Sequence, residues 1–395
     1  MAELVAEKYI SSNLSFVIEK ATSIVLRSPI ETPVQTSFGT MTDRPAVYLI
    51  LEDTQGNQGI GEIWCNFPGC GAEHRARLLD SAILPVLIGH EFSSPEHCYN
   101  VLEQQFKRLA IQSGEFGPVA QCIAGIDIAL WDLVGRRLQI PLYQLFGGIH
   151  SSIDVYASGI NPVGATETFL RCRDEGYHAF KLKIGFGVET DFHNIESICK
   201  RLDSDDALKV DANQAWSFED AITHSEKLSD FPLGWLEEPM MADTPLEYWD
   251  ILSQSCSIPV AAGENMASTE VFSRANQSNW LSVMQPDVCK WGGFSGVLPV
   301  ARQALSNNKR YCPHFLGGGV GLAASAHLLA AVGGDGLLEI DANPNPLREE
   351  VFSPVINNGT IDLGTEPGLG LDISEILLLR QNPAYCNPAV TVAMR

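Results

Sequence analysis

The stretch "AFKLKIG", residues 179–185, decides the fold. It is short and apolar, and Gly185 closes it as a turn would, so it reads as a strand. Lys181 and Lys183 lie two residues apart and therefore project from one face. Similar runs recur on both sides of it. "SIDVYAS" (152–158) precedes it, and "LKVDAN" (208–213), "GWLEEP" (234–239) and "PVAAGE" (259–264) follow. "LSVMQPD" (281–287), "RYCPHF" (310–315) and "GLLEID" (336–341) complete a set of eight, at intervals of roughly 25 residues. Most stretches between them can hold a helix, such as "ATETFLRCRDEG" and "SGVLPVARQALSNN". This is the cadence of βα units, and eight such units close into a barrel.

The flanking segments read differently. "AVYLILEDTQGNQGIGEIW" (46–64) predicts a hairpin, with apolar strands around a Gly/Asn turn. Residues from about 72 to 146 are mostly helical in pattern, including "GPVAQCIAGIDIALWDLVGRRL". A sheet followed by helices predicts an α+β domain over residues 1–145, ahead of a barrel over 146–345. The loop-rich tail, 346–395, is expected to return to the first domain.

The 48 acidic and 26 basic residues leave a net charge of −22, which argues against nucleic acid or an anionic membrane as partner. An anionic small substrate remains compatible, because the field inside a cleft can oppose the global one. The N-terminal segment lacks a basic region followed by an apolar core, so no signal peptide is expected. No apolar run approaches the roughly 20 residues of a membrane span. Ten scattered cysteines fit reduced, buried thiols, and a cytoplasmic location is expected. A homo-oligomer is also expected.

In a barrel of this kind the active site lies at the C-terminal strand ends. Those ends carry Lys181 and Lys183, Asp211 and Asn213, Glu237 and Glu238, Glu264, Asp287, His314, and finally Glu339 and Asp341. One carboxylate at a strand end is usually a cap or loop residue; a series on consecutive strands is not. Asp211, Glu237 and Glu264 stand one βα unit apart, so they converge on one side of the mouth. Three such anions repel unless a cation sits among them, and an all-oxygen set favours Mg²⁺. Strands two and six oppose each other in a ring of eight, and strand seven adjoins strand six. Lys183 and His314 therefore approach a central substrate from opposite sides. Asp287 can hydrogen-bond His314 and raise its basicity. A lysine is almost wholly protonated at neutral pH, but burial and the neighbouring ammonium of Lys181 both lower the Lys183 pKa. Lys181 can also contact a substrate carboxylate.

"KLKIG", "VDAN", "LEEP", "GEN", "QPDVCKWGG", "CPHF" and "LLEID" together resemble the enolase superfamily, and within it the mandelate racemase subgroup. The resemblance covers almost the whole chain. It implies a (β/α)7β TIM-like barrel with an α+β capping domain formed by the N-terminal region and the tail. It implies Asp211, Glu237 and Glu264 as Mg²⁺ ligands, Lys183 and the Asp287–His314 pair as the bases, and Glu339 as an acid near the substrate carboxylate. Glu238 is expected beside the ligands, and Lys290 is read as structural. "LGGGVG" (316–321) follows strand seven, where many barrels bind phosphate, but a backbone turn opening the next helix is the preferred reading. His327 is expected to pack on that helix.

"SPIETPVQTSFGTMTDRP" (28–45) and "CNFPGCG" (65–71) are candidate lid loops, with Gln35, Thr36, Phe38, Asn66 and Phe67 as substrate contacts. The resulting expectation is Mg²⁺-dependent removal of the proton α to the carboxylate of a small molecule. The ene-diolate so formed would collapse by acid-sugar dehydration, or by racemisation, epimerisation or lactone cycloisomerisation. A Schiff-base aldolase using Lys183 and a non-catalytic anion-binding barrel are the readings from other classes.

Overall fold

The computed structural model of the chain describes residues 14–36 and 39–385. Its first part is an antiparallel sheet of β1 (Phe16–Thr36), β2 (Gly39–Asp53), β3 (Gln58–Ile63) and β4 (Glu91–Phe92), in the order β3-β2-β1-β4. The helices α1 (Gly71–Leu78), α2 (Pro95–Ser113) and α3 (Phe116–Leu138) follow. The run "AVYLIL" in β2 is apolar throughout because both its faces are buried, each in a different core. Ala46, Tyr48 and Ile50 join the barrel cluster, whereas Val47, Leu49 and Leu51 join the cluster of the first domain. Helix α3 is long and apolar enough to cross a membrane, but most of it is buried inside the protein, between those two clusters. It packs close to β3: a Cβ on Gly61 would fall 2.0 Å from the carbonyl oxygen of Gly125.

The second part is a parallel barrel. Its strands are β5 (Ser152–Ile160), β6 (Ala179–Lys183), β7 (Ala207–Asp211), β8 (Leu233–Glu237), β9 (Val260–Ala262), β10 (Val283–Met284), β11 (Arg310–Tyr311) and β12 (Leu337–Asp341). The intervening helices are α4 (Ala165–Asp174), α5 (Val188–Cys199), α6 (Phe218–Leu228), α7 (Leu246–Ser255), α8 (Thr269–Gln277), α9 (Gly293–Ser306) and α10 (Gly319–Val332). The backbone ladder runs β11-β10-β9-β8-β7-β6-β5-β12. At the remaining seam, the Leu337 N–H donates to Cys312 Sγ at 3.4 Å, so the barrel is nearly closed. Seven strand–helix pairs and a final strand give the (β/α)7β architecture.

Two segments differ from the sequence reading. Residues 28–36 and 39–45 are not an irregular lid but the paired arms of β1 and β2, with Thr36 opposite Gly39 and a register shift between Pro29 and Val34. Alternation is broken there by Pro29 and Pro33, which hid the strand. The tail adds β13 (Thr360–Asp362) to the edge of β5, in the barrel. It also meets the first domain on both sides of β13: the Tyr48 hydroxyl donates to the Leu347 carbonyl at 2.9 Å before it, and after it Leu369 N–H donates to Asp132 at 2.7 Å and Arg136 to the Leu371 carbonyl at 2.6 Å.

Candidate active site

Strand register builds the site. Lys183 lies opposite Asp211, and Asp211 opposite Glu237, so three consecutive strands present a lysine and two carboxylates side by side at the mouth. Just beyond the strand ends the chain turns sharply, with left-handed Asn213 (φ 43°), Gln214 (φ 63°) and Glu238 (φ 39°). Consecutive residues there bend toward the mouth rather than alternating faces.

The two lysines have different surroundings. Lys181 is fully buried, with Nζ 2.5 Å from Glu237 and 2.8 Å from Glu339. Its ammonium faces these two carboxylates beneath the cleft floor rather than lining the cleft wall. Lys183 reaches the cleft wall and pairs with Asp211 at 2.6 Å. Burial and Lys181 depress its pKa, but Asp211 outweighs them and holds it above the ordinary lysine value. The sequence reading left out this carboxylate across the ladder, which opposes the expected depression.

On the other side, His314 Nδ1 lies 2.8 Å from Asp287, and Nε2 contacts Glu264. Burial disfavours the imidazolium, yet Glu264, Glu339 and Asp287 raise the His314 pKa well above its usual value. Glu264 is correspondingly lowered: burial opposes this, but His314 and Lys290 prevail. Glu339 accepts hydrogen bonds from Ser158 Oγ and from Phe315 N–H at 3.0 Å. Burial raises its pKa, but Lys181 and His314 more than reverse that and bring it to about 2. It stands here as an ionised partner of Lys181. Glu238 is buried, takes the Asn265 amide on both oxygens at 3.0 and 2.9 Å, and is pushed well up by burial and by Glu264 and Asp211.

Among the described residues, no three His, Cys, Asp or Glu side chains are gathered closely enough to enclose an ion, since each carboxylate is turned toward a protein donor. The chemistry of the donor set nevertheless fits Mg²⁺. Asp211, Glu237 and Glu264 are buried or nearly so, all-oxygen, and carried on successive strand ends.

These groups face a cleft of about 460 Å³ between the two domains. Lys183, Glu264 and His314 lie on its wall with Thr36, Phe67 and Asn213. Gln35 and Asn66 do not: the Gln35 N–H donates to Asn161 at 3.4 Å, and Asn66 anchors its loop to the Leu316 carbonyl at 2.6 Å. Phe38 lies outside the described residues. The sequence reading missed Trp64, Met241 and Leu316, which make the wall apolar, and Gln214 and Asn265. Lys290 also stands on the wall, 2.8 Å from Asn265 Oδ1 and 4.8 Å from the Trp64 ring centre. Its place after a strand-six motif could have signalled this.

The "LGGGVG" loop turns out to be a docking point between domains. Glu62 from β3 accepts the N–H groups of Gly318 and Gly321, at 2.5 and 2.8 Å, where α10 begins. A protein carboxylate thus takes the place a phosphate would need. His327 is buried on α10, where its Nδ1 accepts the Tyr143 N–H at 3.2 Å.

A capped barrel with titratable groups on successive strand ends has the architecture of a barrel enzyme with its site at the strand C-termini. Residues 20–147 match the mandelate racemase/muconate lactonizing enzyme N-terminal domain, and residues 165–377 the enolase C-terminal domain-like family. The chain belongs to the enolase superfamily, mandelate racemase subgroup, and is a lyase or isomerase of that type. It is similar to a D-galactarolactone cycloisomerase of Agrobacterium fabrum, with 31% identity over 89% of this chain and 94% of the relative. A solved mandelate racemase/muconate lactonizing enzyme from Bordetella bronchiseptica RB50 is 45% identical, with a TM-score of 0.88 over 93% of this chain and 99% of its own. A racemase from Streptomyces coelicolor A3(2) with bound magnesium shows 25% identity and a TM-score of 0.84 over 94% of this chain and all of its own. Other relatives are dehydratases and racemases.

Proposed function

We propose that this enzyme removes the proton α to the carboxylate of an acid sugar and carries the resulting ene-diolate through β-elimination, with dehydration as the leading outcome. The observation that carries this reading is the placement of Lys183 and His314 on the wall of one cleft, with Asp211 and Glu264 at their sides. Asp211, Glu237 and Glu264 would hold Mg²⁺, which supplies stabilisation of the negative charge that develops on the carboxylate. One base takes the α-proton, the electron pair left behind forms the enediolate, and the β carbon–oxygen bond breaks. His314, oriented by Asp287, can return a proton to the departing oxygen. The enol product then tautomerises to a 2-keto acid. Asn213, Thr36 and Phe67 line the space for the substrate, and Trp64, Met241 and Leu316 limit the water that reaches it.

The likeness to a galactarolactone cycloisomerase favours a second reading, in which the departing oxygen belongs to a lactone ring. Both readings share the proton removal and differ in the leaving group. The test is a panel of aldarates, aldonates and their lactones with Mg²⁺, followed by keto-acid formation and by proton NMR in D₂O. Lys183→Ala and His314→Asn should each lower turnover by at least about 100-fold. Each should retain α-proton exchange with the configuration facing its surviving base. Wild-type turnover in both variants would remove these residues from the mechanism.

A further inference from the structure

We infer that Trp235 and Gln285 are positioning residues that aim Glu237 toward the metal; this rests on the Mg²⁺ reading above. Both donate to one oxygen of Glu237. Gln285 Nε2 lies 2.8 Å and Trp235 Nε1 3.0 Å from Oε2, while Lys181 holds Oε1. All three of these side chains are buried to within 1% of full exposure loss. The orientation of the Gln285 amide is forced, because turning it over would set its oxygen against the carboxylate. In that orientation its Oε1 is buried without a hydrogen-bond partner. Leaving such an oxygen buried and unpartnered is costly, so the amide is kept for its donor end.

The scaffold around both donors is rigid. Gly263 (φ 151°) passes so close to Gln285 that a Cβ would meet its backbone at 2.6 Å, which fixes Gln285 beside the strand end bearing Glu264. The Trp235 indole meets the Tyr156 ring edge-on at 5.4 Å, and Lys209 Nζ lies 5.1 Å from the indole centre. Lys209 is buried, and its Nζ faces the rings of Trp235 and Tyr156. Neutral donors suit this task. They fix the carboxylate's direction and leave its negative charge for the divalent ion, whereas a further cation would compete with that ion. Partners of this kind usually set metal affinity by 10–100-fold.

The experiment is calorimetric titration of Mg²⁺ into wild type, Gln285→Leu and Trp235→Phe, with melting temperatures measured free of Mg²⁺. Trp235→Phe keeps most of the ring and deletes the N–H. Each variant should bind Mg²⁺ about tenfold more weakly or worse. Gln285→Leu, which also removes the orphan oxygen, should melt without Mg²⁺ no lower than wild type. Unchanged Mg²⁺ affinity in both variants would overturn the inference while leaving the Mg²⁺ reading intact. Affinity lost only in step with the Mg²⁺-free melting temperature would make the role structural and overturn it too. If wild type itself bound no Mg²⁺, the functional reading would fail and the inference with it.

Discussion

Lys181 and Lys183 belong to one strand and one face, yet the ladder gives them different roles. Lys181 is the fully buried counter-ion of Glu237 and Glu339, whereas Lys183 keeps 12% of its side chain exposed at the cleft. Removing Lys181 would leave two buried carboxylates facing each other without a cation, and breaking such a pair commonly costs about 3–5 kcal/mol. Lys181→Met should therefore lower stability by that order in urea denaturation. Lys183→Met leaves Asp211 with Lys181 at 3.7 Å and the Asn213 N–H at 2.8 Å, so its cost should be clearly smaller. Equal losses in the two variants would contradict this division. The same contrast limits what a sequence can disclose. The facing of the two lysines follows from period two, but which carboxylate each meets depends on register across β6, β7 and β8, and no local pattern encodes that.

At the scale of elements, the first domain supplies carboxylates to the N-termini of two barrel helices. Glu62 receives the first amides of α10, and Asp127 of α3 accepts the Ser295 N–H of α9 at 2.9 Å. The helix dipoles favour a negative charge there, but burial dominates and raises both groups, Glu62 from 4.5 and Asp127 from 3.8, each to about 7. A carboxyl raised on folding contributes stability that is complete below its unfolded pKa and is lost as pH rises through the folded value. Wild type should thus lose stability between about pH 4 and pH 7, by on the order of 3–4 kcal/mol per group at most. Glu62→Gln with Asp127→Asn should flatten that part of the profile, as read from urea midpoints at a series of pH values. An unchanged slope would mean that these carboxyls do not titrate on unfolding.

The barrel strands and their polar ends were legible because a βα unit repeats, and each end carries a titratable residue after an apolar run. The hairpin of β2 and β3 was legible from its turn. Glu62 was not, since it sits mid-strand among apolar residues and its partner lies in another domain. The arms of β1 and β2 were hidden by prolines at a register shift, and Trp64 and Leu316 reach the cleft only because the domains pack as they do.

For the whole molecule, the decisive contacts are those that tie the two domains together. Arg44 of β2 is almost fully buried, pairs with Asp341 at the end of β12, and donates to the Pro344 carbonyl at 3.1 Å. Four residues along the same strand, the Tyr48 hydroxyl donates to the Leu347 carbonyl at 2.9 Å. Because β2 gives one face to each hydrophobic cluster, neither core can open without exposing apolar residues of the other. Chains of this length often unfold through intermediates, domain by domain. Here the shared strand should couple the domains into a single transition. Trp64 and Trp131 belong to the first domain and the other five tryptophans to the barrel, so total tryptophan fluorescence and far-UV circular dichroism should give coincident urea midpoints. Arg44→Met would leave Asp341 buried with only the Asn343 N–H and amide as partners to its other oxygen. It should lower the common midpoint by an amount equivalent to about 3–5 kcal/mol, with both probes still moving together. Two separated transitions in wild type would show that the strand does not couple the cores. Separation only in Arg44→Met would place the coupling in this ion pair rather than in the shared apolar strand.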